Sequence, residues 1–328
     1  MKKHFLLIIC LIYCLVIVAN SAYAQRPSNL YEVKPDDTLS KIAQKYHTSI
    51  ADLKLYNGLQ ANTVTEGQKL LVPITYTVRS GDTLEHLSST FQLSSEAIKK
   101  ANRLSSDQLQ KGQQLRIVPK KLSMHGQHIV MTREQFKTWL ENNTFNRKIT
   151  LIQHHHTWLP SYKDFTGNNH FAMLEGMENF HRKNMNWKTI AQNLTTFPDG
   201  TIAVSRPFNI APEGSIGNKA NDAGLMIENI GNFDIGHDVM TKKQKDTIVY
   251  MTALLCLKFG LTPSIDSITY HHWWNLKTGE RVLDNAKSFD VKTCPGTGFF
   301  GGNTTTSAKK YFYPLIQKQM NEISSTFE

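Results

Sequence analysis

Apolar and polar positions divide the 328-residue chain into stretches of different character. Lys2 and Lys3 precede an uninterrupted apolar run of 14 residues, Phe5 to Val18, and Ala22-Tyr23-Ala24 follows with the small-x-small spacing of a signal-peptidase site. A membrane-spanning helix needs about 20 apolar residues. Residues 1–24 therefore read as a cleaved secretory signal rather than a membrane anchor, and Tyr13 before Cys14 fits a lipoprotein signal poorly. The next pattern occurs twice, as "YEVKPDDTLSKIAQKYHTSIADLKLYNGLQANTVTEGQKLLVP" over 31–73 and "YTVRSGDTLEHLSSTFQLSSEAIKKANRLSSDQLQKGQQLRIVP" over 76–119. Tyr31/Tyr76, Asp37/Asp82, Thr38/Thr83, Leu39/Leu84, Asn57/Asn102 and Gly67/Gly112 are each 45 residues apart, so this is a tandem repeat. Each unit predicts a short alternating strand, a turn, two helical stretches and a closing apolar strand that ends at Pro73 or Pro119. The Asp-Thr pair supplies a side-chain oxygen to the first helix's free amides, and the late glycine allows a tight turn.

Residues 120–126 read as a short link, and from 127 to 328 the pattern changes again. Thr132 with Gln135 three residues on predicts a capping box opening a helix through Asn142. "KITLIQHHHT" is β-like, "FPDGTIAVSRPFN" predicts a hairpin on its Asp-Gly turn, and "AGLMIENIGNF" is an apolar strand with one acid. A long helix follows from Thr241 to Phe259, closed by Gly260, and then the strand "SITYHHWW". The fold class is mixed α/β: two small βααβ modules, then a domain with a central mixed sheet flanked by helices.

Hydrophobic residues at 40% and charged residues at 20% suit a globular protein. Lys2 and Lys3 carry two of the ten excess positive charges; the remainder fits work near an anionic polymer or merely a solvated surface. Basic residues are scattered without a groove-reading motif, which excludes a nucleic-acid partner. Beyond residue 24 only Cys256 and Cys294 remain, too few for a disulfide framework. Cys256 lies in a helical apolar pattern as a small buried hydrophobe, whereas Cys294 sits in the turn "KTCPG".

Both repeats resemble LysM modules along their whole length. That resemblance implies binding of N-acetylglucosamine-containing glycans in a shallow groove between the Asp-Thr turn and the loop after the second helix. It points to Asp37, Thr38 and Leu39 with Asn57 opposite, and to Asp82, Thr83 and Leu84 with Asn102 opposite; capping and turn formation explain the same residues equally well.

In the last domain His154/His155/His156, His271/His272 and Cys294 are metal-ligating types, and two imidazoles with a thiolate suit a catalytic zinc that keeps a fourth position open. No HExxH helix is present. Strand alternation alone leaves the choice among neighbouring histidines open. The ordered set "LIQHHHT", "NWKTIAQNLTTFPDGTI", "SRPFN", "GLMIENIGNF", "SITYHH" and "KTCPG" resembles the type 2 N-acetylmuramoyl-L-alanine amidase family, which includes peptidoglycan recognition proteins and T7-type lysozymes. The resemblance implies His155, His271 and Cys294 as Zn2+ ligands, Glu228 as general base and Lys292 as a cation near the metal. It also marks a departure, Gln192 standing where many relatives carry a tyrosine. Trp273 and Trp274 in "WWNLKTGERV" are candidates for sugar stacking on a substrate wall. The implied protein is a secreted zinc amidase of the cell envelope or periplasm, not inserted in the membrane after signal cleavage. LysM modules would hold it on peptidoglycan. A recognition protein that binds without cutting and a cysteine peptidase of the stem peptide are the alternatives.

Overall fold

The computed structural model describes residues 28–325 apart from 215 and 286–289; the expected signal lies outside the described residues. The first repeat forms β1 (Leu30–Glu32), α1 (Leu39–Lys45), α2 (Ile50–Asn57) and β2 (Lys69–Leu71). The second forms β3 (Ile74–Thr77), α3 (Leu84–Phe91), α4 (Ser95–Asn102) and β4 (Gln114–Ile117), and the two strands of each repeat pair with each other. Thr38, Ser49, Thr83 and Ser94 cap the four helices, each side chain accepting from a backbone N–H three residues on. The repeats also share left-handed positions: His47 and Gln92 at φ 49° and 52°, Gly58 and Arg103 at φ 59° and 54°.

The remaining elements are β5 (Ser123–His125), β6 (His128–Met131), α5 (Arg133–Asn142), β7 (Leu151–His156), α6 (His170–Asn184), β8 (Leu194–Thr196), β9 (Ile202–Val204), α7 (Asn218–Ala223), β10 (Gly224–Asn229), α8 (Lys242–Phe259), β11 (Ile268–Tyr270) and α9 (Tyr313–Ser325). Among the described residues they build one seven-stranded sheet in the order β11-β7-β10-β8-β9-β6-β5. β11, β7, β10 and β8 are mutually parallel, and the pairs from β8 to β5 are antiparallel. Every residue of β7 is buried, the polar Gln153 among them donating to Ala220 O at 2.9 Å. The core behind the sheet is formed by Ile248, Met251 and Leu255 of α8 with Phe299, Phe312 and Ile316. Cys256 is fully buried there, and burial pushes its thiol up to about 12.

Three expectations change. The short link 120–126 carries structure of its own that was not anticipated: β5 pairs with β6 as an edge strand and Leu122 N–H donates to Leu55 O at 2.8 Å. Pairing defines β5; its sequence, Ser-Met-His, has no strand signature of its own. The strand read in "SITYHHWW" stops at Tyr270, and His271–Trp273 form a 3₁₀ turn. Helix α6 was not anticipated, since its buried Met173, Leu174 and Met177 are spread among polar residues.

Contacts group the chain into two compact units, one holding Leu71–Lys120 and the other Glu32–Leu70 with Lys121–Glu328. No helix among the described residues is long and apolar enough to cross a membrane. The capping box on α5 is complete, with Gln135 N–H donating to Thr132 Oγ1 and Thr132 N–H to Gln135 Oε1. Thr132→Ala should therefore cost about 1 kcal/mol, read as a lower urea midpoint for the transition of the sheet-containing unit, with an unchanged midpoint counting against the cap.

Candidate metal centre and cleft

Strand register decides which histidine faces the cleft. His154 pairs across to Ile227 and Tyr270, while His155 lies beside Glu228 of the parallel neighbour. Alternation sends His154 to the opposite face, where Nε2 meets Thr252 Oγ1 at 3.2 Å and the ring lies edge-on to Phe312. His156 Nδ1 accepts from Phe233 N–H at 3.1 Å. His155 instead sits 4.8 Å, ring centroid to centroid, from His271, the first residue of the turn after β11. His272 points away, its Nδ1 2.7 Å from Lys292 O.

Cys294 joins them from a distant turn that is locked to the loop after β10. Thr293 Oγ1 donates to Asp234 Oδ2 and Thr297 N–H to Asp234 Oδ1, at 2.9 and 3.0 Å. Gly296 has φ 115°, and a Cβ there would lie 2.5 Å from the Phe233 carbonyl, so the turn needs glycine. His156 N–H points at Cys294 Sγ from 3.3 Å, a donor that favours the thiolate. One ligand atom from each of His155, His271 and Cys294 falls within a span of 4.8 Å. Zinc bonds of about 2.0–2.1 Å to nitrogen and about 2.3 Å to sulfur set tetrahedral ligand atoms roughly 3.3–3.8 Å apart, so the group needs only a small contraction to hold an ion.

Electrostatics agree with that donor set. Burial, together with neighbouring imidazoles and Lys292, holds His155 well below its ordinary pKa; burial and then Lys292 lower His271 to about 3. Both rings are neutral and have a lone pair to give. Burial and the Glu228 charge push the Cys294 thiol well up, and burial raises Glu228 to about 8 against the pull of Lys292. Glu228 Oε1 lies 4.0 Å from His155 Nδ1, and its Oε2 is buried without a hydrogen bond.

The cluster lines an open cleft of about 1300 Å³, as does the exposed Lys292. Met173, Met177 and Phe180 of α6 form one wall, and Trp158 and Leu159 stand on the rim, 62% and 60% exposed. Gln192 does not line the cleft; it is fully buried, its Nε2 3.2 Å from Thr195 Oγ1.

Residues 31–73 and 76–118 match the LysM domain model, and residues 145–297 match the N-acetylmuramoyl-L-alanine amidase model. The chain joins two LysM domains to a domain of the N-acetylmuramoyl-L-alanine amidase family. Over 42 residues it is 48% identical to an autolysin of Enterococcus faecalis, a stretch covering 13% of this chain and 6% of that protein. Solved structures similar to it include wild-type Drosophila PGRP-LB, 19% identical with a TM-score of 0.39, covering 52% of this chain and 85% of that one. Another is the N-acetylmuramoyl-L-alanine amidase LysC of Clostridium intestinale, 19% identical with a TM-score of 0.35, covering 54% of this chain and 87% of that one.

In the amidase-family domain, Trp273 and Trp274 are corrected from substrate wall to core. They are 0% and 6% exposed, and their indole N–H groups donate to Asn303 O and Thr269 Oγ1, both at 2.8 Å. The hairpin after them reaches the cleft through Leu276 alone. In the LysM domains Thr38 and Thr83 act as caps, and Leu39 and Leu84 are core residues. Asp37 and Asp82 accept from the N–H groups of Lys34 and Arg79, Asn57 donates to Leu53 O, and Asn102 bonds the backbone of Arg116. These eight side chains thus build the modules' turns, caps and cores. Asp234 and Trp158 had no signal in the sequence, since their placement depends on contacts 59 or more residues away. Trp273→Ala should lower stability by roughly 3–5 kcal/mol in urea denaturation; a KM change at unaltered stability would restore the wall.

Proposed function

We propose that this chain is a zinc-dependent peptidoglycan hydrolase that cleaves the amide between N-acetylmuramic acid and L-alanine, held on the wall by its LysM domains. The observation that carries the reading is the convergence of His155, His271 and Cys294 beside Glu228 in the cleft. The amidase match over 145–297 and the short identity to an autolysin support the same substrate and a secreted, wall-associated location.

The three ligand side chains would hold the ion and leave one position open. When bound, zinc makes water nucleophilic at neutral pH and polarises the scissile carbonyl. Glu228 is placed to accept the proton of the attacking water and return it to the departing alanine nitrogen. Lys292 brings a positive charge to the cleft, where it stabilises negative charge developing on the amide oxygen. Cys294 serves as ligand, not nucleophile, because it is buried behind its turn, where burial pushes its thiol well above the ordinary range.

Trp158 takes the part first assigned to Trp273 and Trp274. Its N–H donates to Gly231 O at 3.0 Å, and its backbone is held at φ 57°, an unfavourable region for a bulky residue. Such strain persists where the surroundings over-determine it, and here the residue lines the cleft with its side chain largely exposed. A pyranose ring of the muramyl group would stack on that side chain.

Digestion of purified peptidoglycan tests the reaction, comparing untreated protein, chelated protein and chelated protein resupplied with zinc, with products identified by mass spectrometry. Zinc-restored release of stem peptides with a free alanine amino group is expected. Binding without release would make the chain a recognition protein, and chelator-insensitive cuts within the stem would overturn the zinc reading. Glu228→Gln should lower kcat by about 10²–10⁴-fold while zinc content by metal analysis stays at the wild-type level; full activity in this variant would remove Glu228 from the mechanism. Trp158→Ala should raise KM for a soluble muramyl peptide about tenfold, as expected for about 1.4 kcal/mol of lost contact, and Trp158→Phe should recover most of it; an unchanged KM would exclude stacking.

A further inference from the structure

We propose that the two LysM domains have separate tasks: the first is a fixed part of the catalytic body, and the second holds the glycan strand. The proposal rests on the reading that LysM domains bind N-acetylglucosamine polymers between the Asp-Thr turn and the loop after the second helix. In the first domain that loop is Gly58-Leu59-Gln60, and the amidase-family domain occupies it. Trp139 Nε1–H of α5 donates to Gly58 O at 3.4 Å, and Gln60 Nε2 donates to Gln127 O at 2.7 Å. Beside the loop, Leu122 N–H bonds Leu55 O, and Gln68 Nε2 donates to Asn143 Oδ1 at 2.9 Å. Leu59 is 5% exposed.

Comparison of the repeats shows that this contact has shaped the sequence. Gly58 is in the left-handed conformation, but so is its counterpart Arg103, at φ 54° against 59°. The module's backbone therefore accepts a side chain at that position. The neighbour does not: a Cβ on Gly58 would lie 3.0 Å from Trp139 Cδ1 and 3.1 Å from Leu122 Cδ1. Glycine at 58 suits both the left-handed turn and the close approach of Trp139. Of the other contacting residues, Gln60 corresponds to Ser105 and Gln68 to Gln113, while Leu55, which offers its backbone carbonyl, corresponds to Lys100. Arg103, Ser105 and Ser106 are all exposed, as a glycan-facing lip requires.

The test is calorimetric titration of the full chain with a soluble β-1,4-linked N-acetylglucosamine hexamer. One hexamer per chain is expected. A bulky residue on each lip assigns the site, since Ala61 and Ser106 are equivalent exposed positions in the two repeats. Ser106→Trp should abolish binding and Ala61→Trp should leave it unchanged. Gly58→Arg, which installs the second repeat's own residue, should break the contact with Trp139 and raise the stoichiometry to two. Two hexamers on the unaltered chain, or loss of binding with Ala61→Trp but not Ser106→Trp, would overturn the division of tasks while leaving glycan recognition standing. Failure of the unaltered chain to bind any hexamer would instead overturn the glycan reading itself, and this proposal with it.

Discussion

Parallel pairing of β7 with β10 is the constraint on which the site depends. It sets Glu228 directly beside His155, and the same strand's pairing with β11 brings His271 to the neighbouring strand end. Because side chains alternate, a slip of one residue would turn His155 away from the cleft and move Glu228 out of register with its partner. The packing opposes that slip from the far face, where His154 is enclosed by Thr252 and Phe312. The carboxyl ends of parallel strands are where α/β sheets gather ligand groups, and the cleft opens there. Three consecutive histidines thus divide their work by geometry: His155 faces His271 in the cleft, His154 faces the helix layer, and His156, at the cleft, is held by the Phe233 loop.

Cys294 reaches the site by a different means. No strand carries it; a turn is fastened to the loop after β10 through Asp234, Thr293 and Thr297, with Gly296 admitting the Phe233 carbonyl. Two of the proposed ligands come from the sheet's register and the third from a hydrogen-bonded clamp. Shifting the clamp would move the sulfur without disturbing either imidazole. The buried setting holds both imidazoles below their ordinary pKa and raises the Glu228 carboxyl.

Much of this was legible in the sequence because local rules coincide with tertiary ones. The 45-residue repeat, the capping box at Thr132 and the helix closed by Gly260 depend on neighbours in sequence, and each is present in the structure. The tryptophans were misread because an aromatic pair near a functional turn looks the same in sequence whether it faces solvent or the core. What buries them is Asn303 and Thr269 waiting for their indole N–H groups, and no spacing announces that. β5, Trp158 and Asp234 were illegible for the same reason: pairing with β6, the backbone bond to Gly231 and the link to Thr293 are long-range facts.

The docking of the first LysM domain follows from the same kind of long-range fact, and its rigidity can be argued from what Trp139 touches. That ring stacks on Phe136 at 5.9 Å and meets Phe208 edge-on at 5.3 Å, and Phe145 closes the cluster. The indole is therefore part of the amidase-family domain's own core, with its N–H edge turned toward Gly58. A module on a flexible tether raises local concentration and leaves direction free. A module seated on a core aromatic cannot turn without exposing that ring to water, at a cost that scales with the apolar area uncovered. For the first domain, orientation relative to the cleft is set by packing, and the missing side chain at residue 58 is what lets the two surfaces meet.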